Sequence, residues 1–177
     1  GGVYETMLKR VMPYTLSGFI YYQGESDDHK PNMYYKLFKM LIEQWRSDWK
    51  DDTLPFMFVQ LPMHINRGEE DRKHWCLIRE AQMRVHQTVK NTGIAVILDC
   101  GEYGNIHPLD KKPVGERLEL QALCHVYNKL SPEKAYGAIF RSALFADGKA
   151  VLSFDHAEGG FDVKGEVKGF EIAGTDK

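Results

Sequence analysis

The sequence predicts an α/β fold: an open parallel sheet covered by helices on both faces, in three layers. Two observations carry this. Three short, almost wholly apolar runs alternate with three long helical patterns, and strands that are apolar throughout are those buried on both faces. The order β-α-β-α-β-α then needs crossover connections, which return each strand parallel to the last. A third observation bounds the domain. After Ser131-Pro132 glycines multiply and the texture turns β-like, so residues 1–131 read as the α/β domain. Residues 132–177 read as a β-rich extension or the start of a second β domain.

The first apolar run covers 17–23 and contains Phe19, Ile20, Tyr21 and Tyr22. A helix is predicted over about 32–49, with Leu37, Leu41, Trp45 and Trp49 at four-residue spacing forming its apolar stripe. The second run, 54–61, includes Phe56, Met57, Phe58 and Val59. The helix predicted next, over about 69–90, opens with acids that suit the positive end of a helix dipole. Trp75, Ile78, Met83 and Val85 are its apolar positions. The third run is 93–99. A last helix, over about 113–130, starts on Pro113 and carries Leu118, Leu120, Leu123 and Val126. Further on, 150–154 and 169–173 read as strands.

Composition narrows the function. Lys and Arg total 23 against 25 Asp and Glu, a net charge of -2, which argues against a nucleic-acid partner. No apolar stretch approaches the ~20 residues that cross a bilayer, and no basic segment leads into an apolar run at the N-terminus. Cys76, Cys100 and Cys124 are far apart and form no Cys-x-x-Cys pair, so they read as buried free thiols. Asp99, Glu102 and His107 match no defensible ligand spacing, so no metal is predicted. No phosphate-binding glycine loop occurs, and no cofactor is predicted.

In an open α/β sheet, ligands sit beyond the carboxyl ends of the strands. Three polar clusters follow those ends: Gln23-Gly24-Glu25-Ser26-Asp27-Asp28, then Gln60 to His64, then Asp99 to Pro108. His107 is the leading catalytic candidate, because an imidazole near neutral pH takes a proton from a nucleophile and returns it to a leaving group. Glu25 is its partner candidate, as a carboxylate that fixes the tautomer and stabilises the imidazolium. Gln23, through its amide, and Gly24, through an unobstructed N–H, are candidates for a developing oxyanion. Each has a plainer reading: a loop histidine that packs, a solvated acid and ordinary turn chemistry.

At these residues the sequence resembles the sialate O-acetylesterase family of SGNH hydrolases, with its related acetyl xylan esterases. The resemblance runs through Gly18 to Asp27 (GFIYYQGESD), Trp45-Arg46-Ser47-Asp48-Trp49 and 55–61 (PFMFVQL). It continues through 77–82 (LIREAQ), Ile106-His107-Pro108, 114–118 (VGERL) and 168–174 (KGFEIAG). It implies a flavodoxin-like hydrolase domain that removes acetyl groups from acetylated carbohydrates through an acyl-serine. Carried over, His107 is the base and Glu25 its acid in the acetyl xylan esterase branch. The Gln23-Gly24 turn helps form the oxyanion hole. Arg79 and Gln82 match as well, either in a structural role or, for Arg79, as a residue that fixes the site from the second helix. A secreted or periplasmic location is implied as well.

Two departures shape these expectations. The family's serine lies in a Gly-Gln-Ser-Asn-Met type of turn on an earlier strand, and residues 1–16 contain no serine. The chain is therefore expected to lack the first strand and to be the later part of a longer protein. Asn105 stands where the family often has Asp, which shifts weight to Glu25. Ser26 in Gly24-Glu25-Ser26 is the second choice of nucleophile, because His107 would follow it too early. An unpaired sheet edge predicts self-association or pairing with a separate N-terminal piece. The alternative function is a non-catalytic carbohydrate-binding or assembly module.

Overall fold

The computed structural model describes every residue except 1, 13, 66, 67, 69–73, 164, 168, 169 and 175–177. Two compact units emerge, Gly1–Tyr136 and Gly137–Lys177. The division falls beyond the Ser131-Pro132 change in texture because a short helix, α5 (Pro132–Ala135), belongs with the first unit. The buried Gln121 amide donates to the Ala135 carbonyl at 2.8 Å, and His125 hydrogen-bonds the Tyr136 hydroxyl, which ties that helix down.

In the first unit a π-helical turn (Tyr4–Leu8) leads into α1 (Lys9–Val11) and then into the sheet. Strands β1 (Phe19–Tyr21), β2 (Phe56–Gln60) and β3 (Thr92–Val96) are parallel, in that spatial order. The crossovers are α2 (Pro31–Trp49) and α3 (His74–Thr88), and α4 (Lys112–His125) follows β3. The fold class read from the sequence is the one observed, and its β-α-β-α-β-α order is found from β1 to α4. The hydrogen-bonded strands are shorter than the apolar runs because Leu54, Leu61 and Ile97 stay buried beyond the ladder.

Central strand β2 is buried at every position, which is why its sequence does not alternate. Phe56 and Phe58 pack with Tyr34, Phe38 and Ile42 of α2 and with Ile78 and Val85 of α3. Val59 packs on the other face with Ile97 and with Val114 of α4. Each fully buried side chain of this size contributes roughly 1.5–3 kcal/mol. Three layers result.

Helix α2 corrects the sequence reading of its apolar face. Its buried residues are Tyr34, Phe38, Ile42 and Arg46, while Leu37 is 50% exposed. The stripe at 37, 41, 45 and 49 lies on the flank, where Trp45 packs tilted and Trp49 edge-on against Phe19. Periodicity misses the true stripe because it ends in an arginine. Arg46 is tolerated inside because its guanidinium donates to the carbonyls of Leu54, Lys90 and Asn91 at 2.9–3.0 Å. On α4, too, the burial is not where the leucines are: Val114, Gln121 and Cys124 are buried, and Leu118 is only partly so. The cysteines also depart from expectation, since Cys76 is exposed, Cys100 intermediate and Cys124 buried. The first turn predicted for α3, 69–73, lies outside the described residues.

The second unit is built on an antiparallel hairpin, β4 (Ile139–Ala146) and β5 (Lys149–Asp155), with a register shift between Phe140 and Ser142. Strand β5 contains the predicted 150–154 segment; β4 was not singled out by its sequence. The strand predicted at 169–173 is not formed by residues 170–173, which have no ladder partner among the described residues. Gly169 itself lies outside them. No described helix is long and apolar enough to cross a membrane.

Candidate active site

The carboxyl ends of β1, β2 and β3 lie on one edge of the parallel sheet, so the turns that follow them form one rim. After β1 the chain turns at Gly24 into a 3-10 turn, Glu25–Asp27. Gly24 has φ +143°, a region that L side chains rarely adopt, and it is buried. A Cβ built there would stand 3.0 Å from Leu61 Cδ1, 3.1 Å from the Tyr34 hydroxyl and 3.3 Å from Gln82 Nε2.

A closed hydrogen-bond network holds this turn. Gln82 of α3 is 1% exposed. Its Nε2 donates to the Gln23 carbonyl at 3.2 Å and to the Tyr34 hydroxyl at 3.4 Å, while its Oε1 accepts the Leu61 N–H at 3.0 Å. Tyr34 of α2 in turn donates to the Gln23 carbonyl at 3.0 Å. Burial pushes the Tyr34 phenol well above its ordinary pKa, so it stays protonated. Burial likewise pushes Tyr21 up to about 12, assisted by the nearby carboxylates of Asp27 and Glu25.

The side chain of Gln23 is engaged within the turn. Its Nε2 donates to Asp27, and its Oε1 accepts from the Tyr21 hydroxyl at 3.2 Å. The Gly24 N–H makes no hydrogen bond among the described residues. Beside the turn, Tyr21, Gln23, Asp27, Tyr34, Leu37, Phe38 and Leu41 line an open cavity of about 330 Å³.

Residue His107 sits on the loop after β3, exposed, between Ile106 and the buried Pro108. Glu102 organises this loop by accepting the Leu109 N–H at 2.7 Å and the Asn105 Nδ2 at 2.9 Å. Those bonds, the Leu109 amide first, hold the Glu102 carboxyl below its ordinary pKa. Asn105 Oδ1 accepts the His107 backbone N–H at 3.0 Å. The residue in the place of the family's Asp thus braces the backbone of the histidine. At the base of the loop, Gly101 lies so close to Pro62 that an added Cβ would clash with the Pro62 Cβ.

Two contacts connect the rim. Lys111, just past the histidine, lies over the Tyr22 ring at 5.0 Å, joining the His107 loop to the end of β1. Arg117 of α4 forms a two-pronged pair with Asp99 at 2.5 and 2.7 Å. The Arg117 guanidinium holds the Asp99 carboxyl down at about 2.

The structure brings Gln23 and Gly24 together with Tyr34 and Gln82. It does not join Glu25 to His107: Glu25 is half-buried in the 3-10 turn, and no hydrogen bond or ion pair links the two among the described residues. Arg79 reaches the exit of β2, donating to the Pro62 carbonyl at 3.4 Å, and its own carbonyl accepts from Gln60 Nε2 at 3.0 Å. Sequence reasoning missed Tyr34, which reads as one more apolar helix residue, and the bracing pair Glu102 and Asn105. No group of three or more His, Cys, Asp or Glu suited to hold a metal occurs among the described residues.

Comparison with known proteins bears on the family and the fold. The family of carbohydrate esterases described as sialic acid-specific acetylesterases matches residues 1–107. Sialate O-acetylesterase of Mus musculus is 31% identical across 72% of this chain and 26% of its own length. The Homo sapiens sialate O-acetylesterase is 30% identical across 72% of this chain and 27% of its own. The chain thus spans about a quarter of the length of these relatives. The crystal structure of a carbohydrate acetylesterase from Xanthomonas citri superposes with a TM-score of 0.87 at 36% identity, covering 99% of this chain and 41% of that one.

Proposed function

The chain belongs to the sialic acid-specific acetylesterase family of carbohydrate esterases, and from that premise we propose that it carries the base-bearing part of a serine O-acetylesterase site. The substrate class is an O-acetylated sialic acid or another acetylated glycan. The observation that carries this reading is the Gln23-Gly24 turn. Its carbonyl is bound from behind by Gln82 and Tyr34, and its next N–H, on the same rim as the His107 loop, has no partner among the described residues.

In this proposal the nucleophilic serine comes from a part of the protein that precedes the chain, on a strand placed beside β1. His107 takes the hydroxyl proton as the serine attacks the acetyl carbonyl. It then gives the proton to the departing sugar oxygen. The Gly24 N–H receives the oxyanion. Asp27 engages one of the two Gln23 Nε2 hydrogens and holds that amide within the turn, whereas the Gly24 N–H has no partner among the described residues, so the backbone donor is the stronger candidate of the two. Glu25 orients the imidazole once substrate is bound, and water repeats the sequence to release acetate.

The test is hydrolysis of a small acetyl ester by the full-length protein, paired with a fluorophosphonate probe mapped by peptide mass. His107→Ala is expected to lower kcat by at least about 10²-fold, the usual scale for losing a general base. Turnover retained in that variant would remove His107 from the mechanism. A stoichiometric adduct on Ser26 would mean that the chain holds its own nucleophile. Binding of acetylated sugar without any turnover would favour a non-catalytic carbohydrate-binding module.

A further inference from the structure

We propose that Gln82 and Tyr34 are positioning residues for the oxyanion donor: together they fix the plane of the Gln23–Gly24 peptide, and so the direction in which the Gly24 N–H points. This rests on the esterase reading above, because it assigns those residues a task within that site.

The argument starts from peptide planarity. In a trans peptide the carbonyl and the following N–H point in opposite directions, and the chain contains no cis peptide. Whatever holds the Gln23 carbonyl therefore aims the Gly24 N–H. Two donors hold it, Gln82 Nε2 at 3.2 Å and the Tyr34 hydroxyl at 3.0 Å. They are coupled to each other through the 3.4 Å bond from Gln82 to Tyr34. The N–H is thereby directed away from both side chains, and it has no partner among the described residues.

Gln82 does more than hold one carbonyl. Its Oε1 accepts the Leu61 N–H, so one side chain joins the exits of β1 and β2. Every polar atom of that carboxamide is used, which is what burial at 1% exposure demands. Hydrophobic packing alone would be served equally well by a leucine or methionine here. A glutamine at this depth costs desolvation that only its hydrogen bonds offset. Oxyanion stabilisation depends on donors placed before the reaction, so loss of this brace falls on the transition state and not on substrate binding.

The experiment is steady-state kinetics of the full-length protein on an acetyl ester, with Tyr34→Phe, Gln82→Met, Gln82→Glu and His107→Ala compared by both kcat and thermal midpoint. Tyr34→Phe and Gln82→Met are expected to fold and to lose roughly ten- to a hundredfold in kcat with KM little changed, part of the factor of about 10²–10³ that an oxyanion donor commands. Should Gln82→Met not fold, Tyr34→Phe decides. Gln82→Glu supplies the signature that a merely structural role would lack. Ionised, it can accept from Leu61 but cannot donate to Gln23. Protonated, it can do both, and burial raises the pH at which this happens. Its kcat relative to the unsubstituted protein should therefore recover as pH falls. Unchanged kcat in folded Tyr34→Phe and Gln82→Met, with His107→Ala inactive, would overturn the positioning role and leave the esterase reading standing. An unsubstituted protein that hydrolyses no acetyl ester would overturn both.

Discussion

Gly24 is the residue on which the proposed site turns, because its backbone and its neighbours exclude any side chain. With φ at +143° and Leu61, Tyr34 and Gln82 all within 3.3 Å of where a Cβ would sit, Gly24→Ala strains the backbone and forces the brace apart. Holding a non-glycine residue in such a conformation costs about 1–3 kcal/mol. The expected outcome is a thermal midpoint lowered accordingly and an acetylesterase rate lost beyond what the stability change explains, read by calorimetry and kinetics on one preparation. A fully active Gly24→Ala would mean that this peptide is not the oxyanion donor. The turn itself was legible in the sequence, since strand ends in an α/β sheet are where ligands sit. The brace was not. Tyr34 and Gln82 reach it from two helices, and no spacing along the chain announces a contact between residues 59 positions apart. The same limit applies to Asn105, whose identity suggested a lost relay and whose side chain instead braces the His107 backbone.

At the scale of the elements, the pair between Asp99 and Arg117 ties the exit of β3 to α4. Arg117 also donates to the Val96 carbonyl, so the one guanidinium spans the last strand residue and the loop beyond it. Asp99 is held at about 2, below its ordinary value of 3.8. A carboxyl depressed on folding contributes stability that is fully present above its unfolded pKa and is lost as pH falls through the folded one. Asp99→Asn should therefore lower stability at neutral pH and cost progressively less between about pH 4 and 2. The side chain of Asp99 is 67% exposed, so the neutral-pH effect is about 0.5–1 kcal/mol. Urea titrations at pH 7 and pH 2.5 check this, and an equal loss at both would place the effect outside the ion pair. The order of strands and helices was readable because each element carries its own periodicity and composition. Which face of α2 is buried was not, because Arg46 counts as polar until its three backbone acceptors are known. Strand β4 escaped for a related reason: apart from the half-buried Ile139 its apolar residues are exposed, so its sequence does not alternate as a half-buried strand does.

At the scale of the whole chain, the parallel sheet of the first unit presents an open edge at β1. Among the described residues, strand β1 pairs with β2 on one side only. Ile20, in the middle of that strand, is 73% exposed, with Leu37 at 50% and Met40 at 53% on the helix that follows. A bare ladder edge flanked by apolar side chains is a template for another strand. We expect this chain by itself to associate through β1, with a weight-average mass in sedimentation that rises with concentration. Ile20→Lys should suppress the rise, since a charge beside the edge opposes strand pairing. It should barely change the thermal midpoint, because Ile20 contributes little burial to the first unit. The full-length protein should show no such concentration dependence if a preceding strand occupies the edge, as the proposed position of the serine requires. That comparison separates two physical situations with one instrument. Association in the isolated chain that vanishes both in Ile20→Lys and in the full-length protein identifies β1 as an edge that a further strand covers. Association that persists in Ile20→Lys would move the sticky surface to the hairpin of β4 and β5, where Leu144 and Phe145 are 65% and 68% exposed.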